Sequence, residues 1–132
     1  MSGAREVKDD RKYTRDHEWA LTRDGDVIVG ITAYAVDQLG DITLVNLDVE
    51  VGAEVEAGKA FGTIESVKTL SDLFAPVGGR VTRINSQLAD HPELVNEDPW
   101  EKSWMIALAP TSDKLGALLD PAAYRQYLAE QG

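Results

Sequence analysis

Gly58-Lys59-Ala60-Phe61-Gly62-Thr63-Ile64-Glu65-Ser66-Val67-Lys68-Thr69-Leu70-Ser71-Asp72-Leu73-Phe74-Ala75-Pro76-Val77-Gly78-Gly79 is the stretch on which the reading of the chain turns. Strand-forming residues occupy 60–66 and 70–75, each run bounded by Gly or Pro, with Lys68 at their junction. The spacing predicts two strands. Spacing alone makes Lys68 an ordinary solvated lysine. Residues 66–69 carry neither the Gly nor the Asn that two-residue hairpins favour, so turn chemistry leaves a single long strand through Lys68 open.

The chain has 132 residues, enough for one domain but not for two with adequate cores. Hydrophobic residues make up 43% and charged residues 27%, an ordinary globular composition. With 23 acidic against 13 basic side chains the net charge is −10, which argues against nucleic acid and for a basic cleft on a protein partner. No cysteine is present, so disulfides, thiolate nucleophiles and Cys-bound metals are excluded, and any sulfur redox chemistry must be borrowed. No apolar run reaches membrane-helix length, and the first eleven residues lack the apolar centre of a signal peptide. A cytoplasmic location is expected, with a mature mitochondrial matrix form as the alternative.

Residues 1–12 offer little to bury and read as a mobile tail. Asp24-Gly25 between 13–21 and the apolar 27–31 predicts a hairpin. Thr32 caps a short helix over Ala33–Leu39, with Gly40 just past its end. Strands are expected over 42–49, with Val45, Leu47 and Val49 on one parity, over 53–56 with Glu54 and Glu56 facing water, over 80–84, and as a buried run over 104–109. One helical turn is expected within 85–90, before Pro92. Near the C-terminus, Ser112 or Asp113 starts a short helix bearing Leu115, Leu118 and Leu119. Asp120-Pro121 then opens a last helix with Tyr124, Tyr127 and Leu128 at helical spacing.

Glu65-Ser66-Val67-Lys68, Ser71-Asp72 and Ala75-Pro76 together resemble the lipoyl-attachment region of the glycine cleavage system H protein family. The resemblance runs from Tyr13 to about Leu108. It takes in His17-Glu18-Trp19, Gly30-Ile31-Thr32, Leu39-Gly40-Asp41-Ile42, Phe61-Gly62, Leu94-Val95-Asn96, Pro99, Trp104 and Met105. It implies a β-rich α+β fold, a lipoyl/biotinyl-type barrel-sandwich hybrid of two small sheets with short helices and a C-terminal helical addition. The lipoyl-type domain would span 13–110, with 111–132 packed on it. The chain departs from the family in being one residue longer before Gly52, and in lacking glycine at Trp100-Glu101-Lys102-Ser103.

The resemblance further implies lipoate on Lys68, a lysine whose long stem ends in an acylatable amine. Glu65 and Ser66 complete the attachment motif, Glu65 serving recognition by a lipoyl-attaching enzyme. The chain would then be a carrier and not an enzyme. It would move the aminomethyl group of glycine from a pyridoxal-phosphate glycine decarboxylase (P protein) to a tetrahydrofolate-dependent aminomethyltransferase (T protein), with reoxidation by dihydrolipoamide dehydrogenase (L protein). Between enzymes the arm would shelter on the body, and Glu18 and Asp72 are the candidate carboxylates for meeting its amine. A lipoyl carrier or lipoate relay for another complex needs the same modified tip and is the alternative.

Biotinyl domains flank their lysine with methionine, where this chain has Val67 and Thr69, and 2-oxoacid dehydrogenase domains favour Asp before it. A hydrolase using His17 and Glu18 would lack a nucleophile and an oxyanion loop. His17 and His91 show no metal-ligand spacing, so no metal is expected.

Overall fold

The run 27–31 is apolar on both parities because the sheet that holds it is covered on both faces. A computed structural model of the chain describes residues 6–111 and 118–131. In chain order the elements are β1 (Lys12–Tyr13), β2 (Glu18–Arg23), β3 (Asp26–Ile31), α1 (Ala33–Leu39), β4 (Ile42–Leu47), β5 (Glu54–Val55), β6 (Ala60–Ser66), β7 (Leu70–Phe74), β8 (Gly79–Ile84), α2 (Gln87–Asp90), α3 (Leu94–Glu97), β9 (Ile106–Pro110) and α4 (Pro121–Gln131). One antiparallel sheet has six strands in the order β1-β2-β3-β9-β8-β5. The other has three, in the order β4-β6-β7.

Between the sheets, Ala20, Val27, Val29, Val81, Ile106 and Leu108 meet Val45, Phe61, Ile64 and Leu73, closed at one end by Val36 and Leu39 of α1. The opposite parity of the large sheet, Trp19, Leu21, Ile28 and Ala107, packs under Tyr124 and Leu128 of α4. Tyr13 stacks on Tyr124 at 4.4 Å and 6°. The expected two-sheet architecture with short helices and a C-terminal helix is what the chain adopts.

Several local expectations hold. Asp24 and Gly25 take φ of 56° and 87°, the left-handed pair of a tight hairpin between β2 and β3. Thr32 accepts from the Ala35 amide, and Gly40 closes α1 at φ 82°. Asp120 Oδ1 accepts from the Ala123 amide at 2.8 Å, with Pro121 in the first turn of α4. Val45 is buried and Leu47 and Val49 half-buried on one parity, while Glu54 and Glu56 face water.

Other expectations are corrected. The strand expected over 42–49 ends at Leu47, and that over 104–109 begins at Ile106 and runs into Pro110. A one-turn helix, α3, follows Pro92 where none was expected. Residues 112–117, which carry the start of the expected short helix and Leu115, lie outside the described residues. Leu119 is not helical: its backbone pairs with Tyr13 through two 2.8 Å bonds.

Residues 6–12, read as part of a mobile tail, lie packed on the body. Val7 is buried, and the Arg11 guanidinium sits 4.6 Å from the Trp19 ring and 5.4 Å from the Trp100 ring, donating to Trp100 O at 2.9 Å. The glycine-free loop after Pro99 needs no left-handed residue. Asp98 Oδ1 accepts the amides of Trp100 and Glu101, and Asp98 O accepts the Ser103 hydroxyl.

Trp19 fixes one glycine. Its Nε1 donates to Ile31 O and Pro99 O, both at 2.9 Å, and a Cβ on Gly30 would lie 2.4 Å from its ring. The ring cannot yield without losing both bonds. Gly30→Ala is expected to cost about 1–3 kcal/mol by overpacking, lowering the urea midpoint at unchanged slope; an unshifted midpoint would disprove the constraint.

Candidate functional site

Lys68 stands on an exposed tip between β6 and β7. The strand that local propensity would allow to continue is broken by Ser66. Its hydroxyl accepts the amides of Lys68 at 3.1 Å and Thr69 at 3.2 Å, and its own amide donates to Thr69 O at 2.8 Å. A buried side chain thus makes the turn that no glycine supplies.

The tip is also held from outside. The Val67 amide donates to Asp41 O at 3.0 Å, tying the hairpin to the loop that leaves α1. That loop is clamped in turn by Asn96, which accepts the Ile42 amide at 2.9 Å and donates to Gly40 O at 3.0 Å. Asn96 stands in the matched Leu94-Val95-Asn96 run, but nothing in the sequence assigns it this clamp. Its position just before the Pro99 segment gave no sign of the pairing, because the partners lie 54 and 56 residues away. A Cβ on Gly40 would come within 3.4 Å of Lys68 Cε, so the side chain of the lysine runs past the end of α1.

Beside this tip a groove of about 270 Å³ is lined by Ile31, Leu39, Ile64 and Leu73, with Glu18, Gln38, Ser71 and Asp72 among its polar members. Glu18 and Asp72, far apart in sequence, therefore meet in one groove. Their environments differ. Asp72 is exposed on the edge strand, whereas Glu18 is only 2% exposed and joins the two sheets, taking the Thr14 hydroxyl at 2.7 Å and the Phe74 amide at 3.3 Å. Burial pushes the Glu18 carboxyl up to about 7 against the pull of those two hydrogen bonds.

It is a larger cleft, of about 510 Å³, that borders Gly40, but five carboxylates line it: Glu6, Asp37, Asp41, Glu97 and Asp98. An apolar arm matches the smaller groove better. Glu65 is exposed on β6, level with Leu44 of β4 and Leu70 of β7.

The histidines do other work. His17, at φ 70°, shares a 2.8 Å hydrogen bond with the Tyr124 hydroxyl, which also meets Thr32 Oγ1 at 2.9 Å; burial holds the His17 pKa below its usual value. His91 is exposed beside Glu93 at 3.3 Å.

The sequence pattern described as glycine cleavage H-protein matches residues 11–131. The chain belongs to that family. A glycine cleavage system H protein of Anaeromyxobacter sp. (strain K) is 47% identical over 127 residues, covering 96% of this chain and 98% of that one. One from Oceanobacillus iheyensis is 46% identical over 122 residues, 92% of this chain and 96% of its own. Among solved structures, a glycine cleavage system H protein from Mycobacterium marinum superposes with a TM-score of 0.83 at 40% identity, covering 96% of this chain and 99% of that one. Among the described residues no helix is long and apolar enough to cross a membrane.

The Glu18 carboxyl is ordinarily half-ionised near pH 4.5 and here near 7, so the fold binds a proton that the unfolded chain has released. Stability contributed by the neutral group is complete below about 4.5 and lost as pH rises through 7. Glu18→Gln is expected to remove that slope, gaining on wild type by at most roughly 3 kcal/mol across this window. Parallel urea curves for the two proteins at pH 5 and pH 7.5 would show the Glu18 carboxyl to be unperturbed.

Proposed function

We propose that this member of the glycine cleavage H-protein family carries lipoate on Lys68 and serves as the mobile carrier of glycine cleavage. It would take the aminomethyl group from the pyridoxal-phosphate glycine decarboxylase and deliver it to the tetrahydrofolate-dependent aminomethyltransferase, to be reoxidised by dihydrolipoamide dehydrogenase. The observation that carries this reading is the hairpin itself: a lysine presented to solvent on a tip braced by Ser66, Asp41 O and Asn96. The residues present suit the group. Lipoate attached there supplies the dithiolane that a cysteine-free chain lacks, reduced as it accepts the one-carbon cargo and reoxidised afterwards.

Everything else falls to the protein. A rigid body with one extended side chain raises the local concentration of that group once a partner has docked. Between partners, the groove beside the tip offers Ile31, Leu39, Ile64 and Leu73 to an apolar arm. An aminomethyl cargo is cationic. Arriving beside Glu18 it would draw the carboxyl back toward ionisation, and Asp72 would add a second negative charge at the rim. Exclusion of water from the groove then slows loss of the cargo.

Lys68→Arg keeps the charge but is not expected to accept lipoate, and reconstitution with decarboxylase and aminomethyltransferase should give no glycine-dependent one-carbon transfer. Transfer at the wild-type rate would exclude Lys68 as the attachment point. For the groove, Glu18→Gln with Asp72→Asn should shorten the lifetime of cargo-loaded protein in water by roughly tenfold. An unaltered lifetime would show that neither carboxylate shelters the arm.

A further inference from the structure

On the face of the six-stranded sheet turned away from the three-stranded one, paired residues form a row: Leu21 of β2, Ile28 of β3, Ala107 of β9 and Arg83 of β8. Arg83 belongs to this row because the register of β8 on β9 slips by one residue between Val81 and Arg83. Strict alternation from the buried Val81 would turn Arg83 back into the core. The extra residue, Thr82, makes a β-bulge that re-aims it outward. Against the row lies a cleft of about 360 Å³, lined by Trp19, Trp100 and Trp104 together with Arg23, Arg83 and Lys102. Every tryptophan of the chain therefore borders one cavity.

The cavity is cationic on an acidic protein. Its three cations face two lining carboxylates, Asp24 and Glu101, whereas the chain as a whole carries a net charge of −10. Glu101 is already engaged, with Oε1 3.5 Å from Arg23 and Oε2 3.6 Å from the buried Arg11. Arg83 and Lys102 have no carboxylate within ion-pair distance among the described residues, and the Arg83 guanidinium lies 5.3 Å from the Trp104 ring. The indole donors differ in the same way. Trp19 Nε1 donates to Ile31 O and Pro99 O, and Trp100 Nε1 to Glu6 Oε1. Trp104 Nε1 has no partner among the described residues, and because none of their buried side-chain nitrogens lacks one, it is open to solvent. Lys102 stands in the stretch where the chain departs from its family, so membership does not account for it.

A free guanidinium and a free ammonium beside an indole suit an anion joined to a flat apolar body. Arginine holds a carboxylate or phosphate in a fork, and the indole supplies a face. The volume falls within the roughly 300–1,000 Å³ of small-ligand sites. A protein would find little to grip. Trp19, Leu21, Ile28 and Trp100 are buried, and none of the exposed large apolar side chains, Leu44, Val51, Val67 and Leu70, lines the cavity. We propose that this cleft binds a small ligand with a flat apolar body and an anionic end, a carboxylate or a phosphate, the body against Trp104 and the anion on Arg83 and Lys102. The site is separate from Lys68 and stands whether or not that lysine is modified.

The test uses the full chain, with calorimetry for affinity and nuclear magnetic resonance of the indole N–H groups for location. AMP probes the phosphate end and naphthoate the carboxylate end. Adenosine and naphthol lack the anion, and inorganic phosphate and acetate lack the flat body. At least one of the two probes should bind with Kd below about 1 mM and shift the Trp104 N–H signal, and its two halves should bind about tenfold more weakly or worse. Binding of AMP alone assigns a phosphate ligand, and of naphthoate alone a carboxylate. Arg83→Gln with Lys102→Gln should weaken the probe about tenfold or more. Lys59→Gln with Arg80→Gln, an equal change of charge at residues that do not line the cleft, should bind as wild type, as should Lys68→Arg, and circular dichroism should show every variant folded. Failure of both probes to bind at about 5 mM would overturn the site. Equal losses in the two double variants would also overturn it, by reducing the effect to net charge, and so would inorganic phosphate or acetate binding as tightly as the whole probe, by leaving an anion contact that does not use the cleft.

Discussion

The bond from the Val67 amide to Asp41 O is the constraint on which the presentation of Lys68 depends. A hairpin tip built of Ser, Val, Lys and Thr has no intrinsic reason to turn there, and two bonded strands alone are marginal in water. What fixes it is tertiary. Ser66 folds the backbone over its own hydroxyl, and the loop after α1 supplies an acceptor that Asn96 holds from 54 residues away. The amine is therefore exposed on a turn whose backbone is bonded from both sides.

Interactions local in sequence were legible, and those made across the chain were not. Asp24-Gly25, Thr32 with Gly40, and Asp120-Pro121 each specify their conformation within a few residues, so their turn and caps stand where the pattern puts them. Arg11 shows the opposite case. Its charge reads as tail, yet its guanidinium lies between two indoles supplied by Trp19 and Trp100. Asp98 likewise replaces a missing glycine by accepting amides, a substitution of side chain for backbone freedom that composition conceals. Within the site, the family pattern made Lys68 visible. That Glu18 is buried and shares a groove with Asp72 could not be read from either residue's neighbours, because the groove is made by both sheets and α1 together.

Glu18 is the costly element. Burial raises the carboxyl's pKa to about 7 although it accepts from the Thr14 hydroxyl and the Phe74 amide, and a leucine at the same place would leave both donors without that acceptor. Glu18 links β2 to the end of β7 and so ties the two sheets together at the end of β7 away from the tip. A group poised between its two charge states is also one that an arriving cation can convert without moving any atom of the backbone.

Charge and shape then divide the surface around one lysine. Toward α1 the side chain passes Gly40, where a Cβ would lie 3.4 Å from Lys68 Cε, and on the same side α1 and both sheets enclose an apolar groove with a buried acid. Toward the outer face of the small sheet, Leu44 and Leu70 stand on either side of an exposed Glu65. The two sides differ in what they can hold. The concave side encloses about 270 Å³, and the outer side exposes Leu44, Leu70 and Glu65. The carrier role proposed above would need a surface that shelters the cargo and a lysine open to solvent, and the Ser66 turn supplies the second.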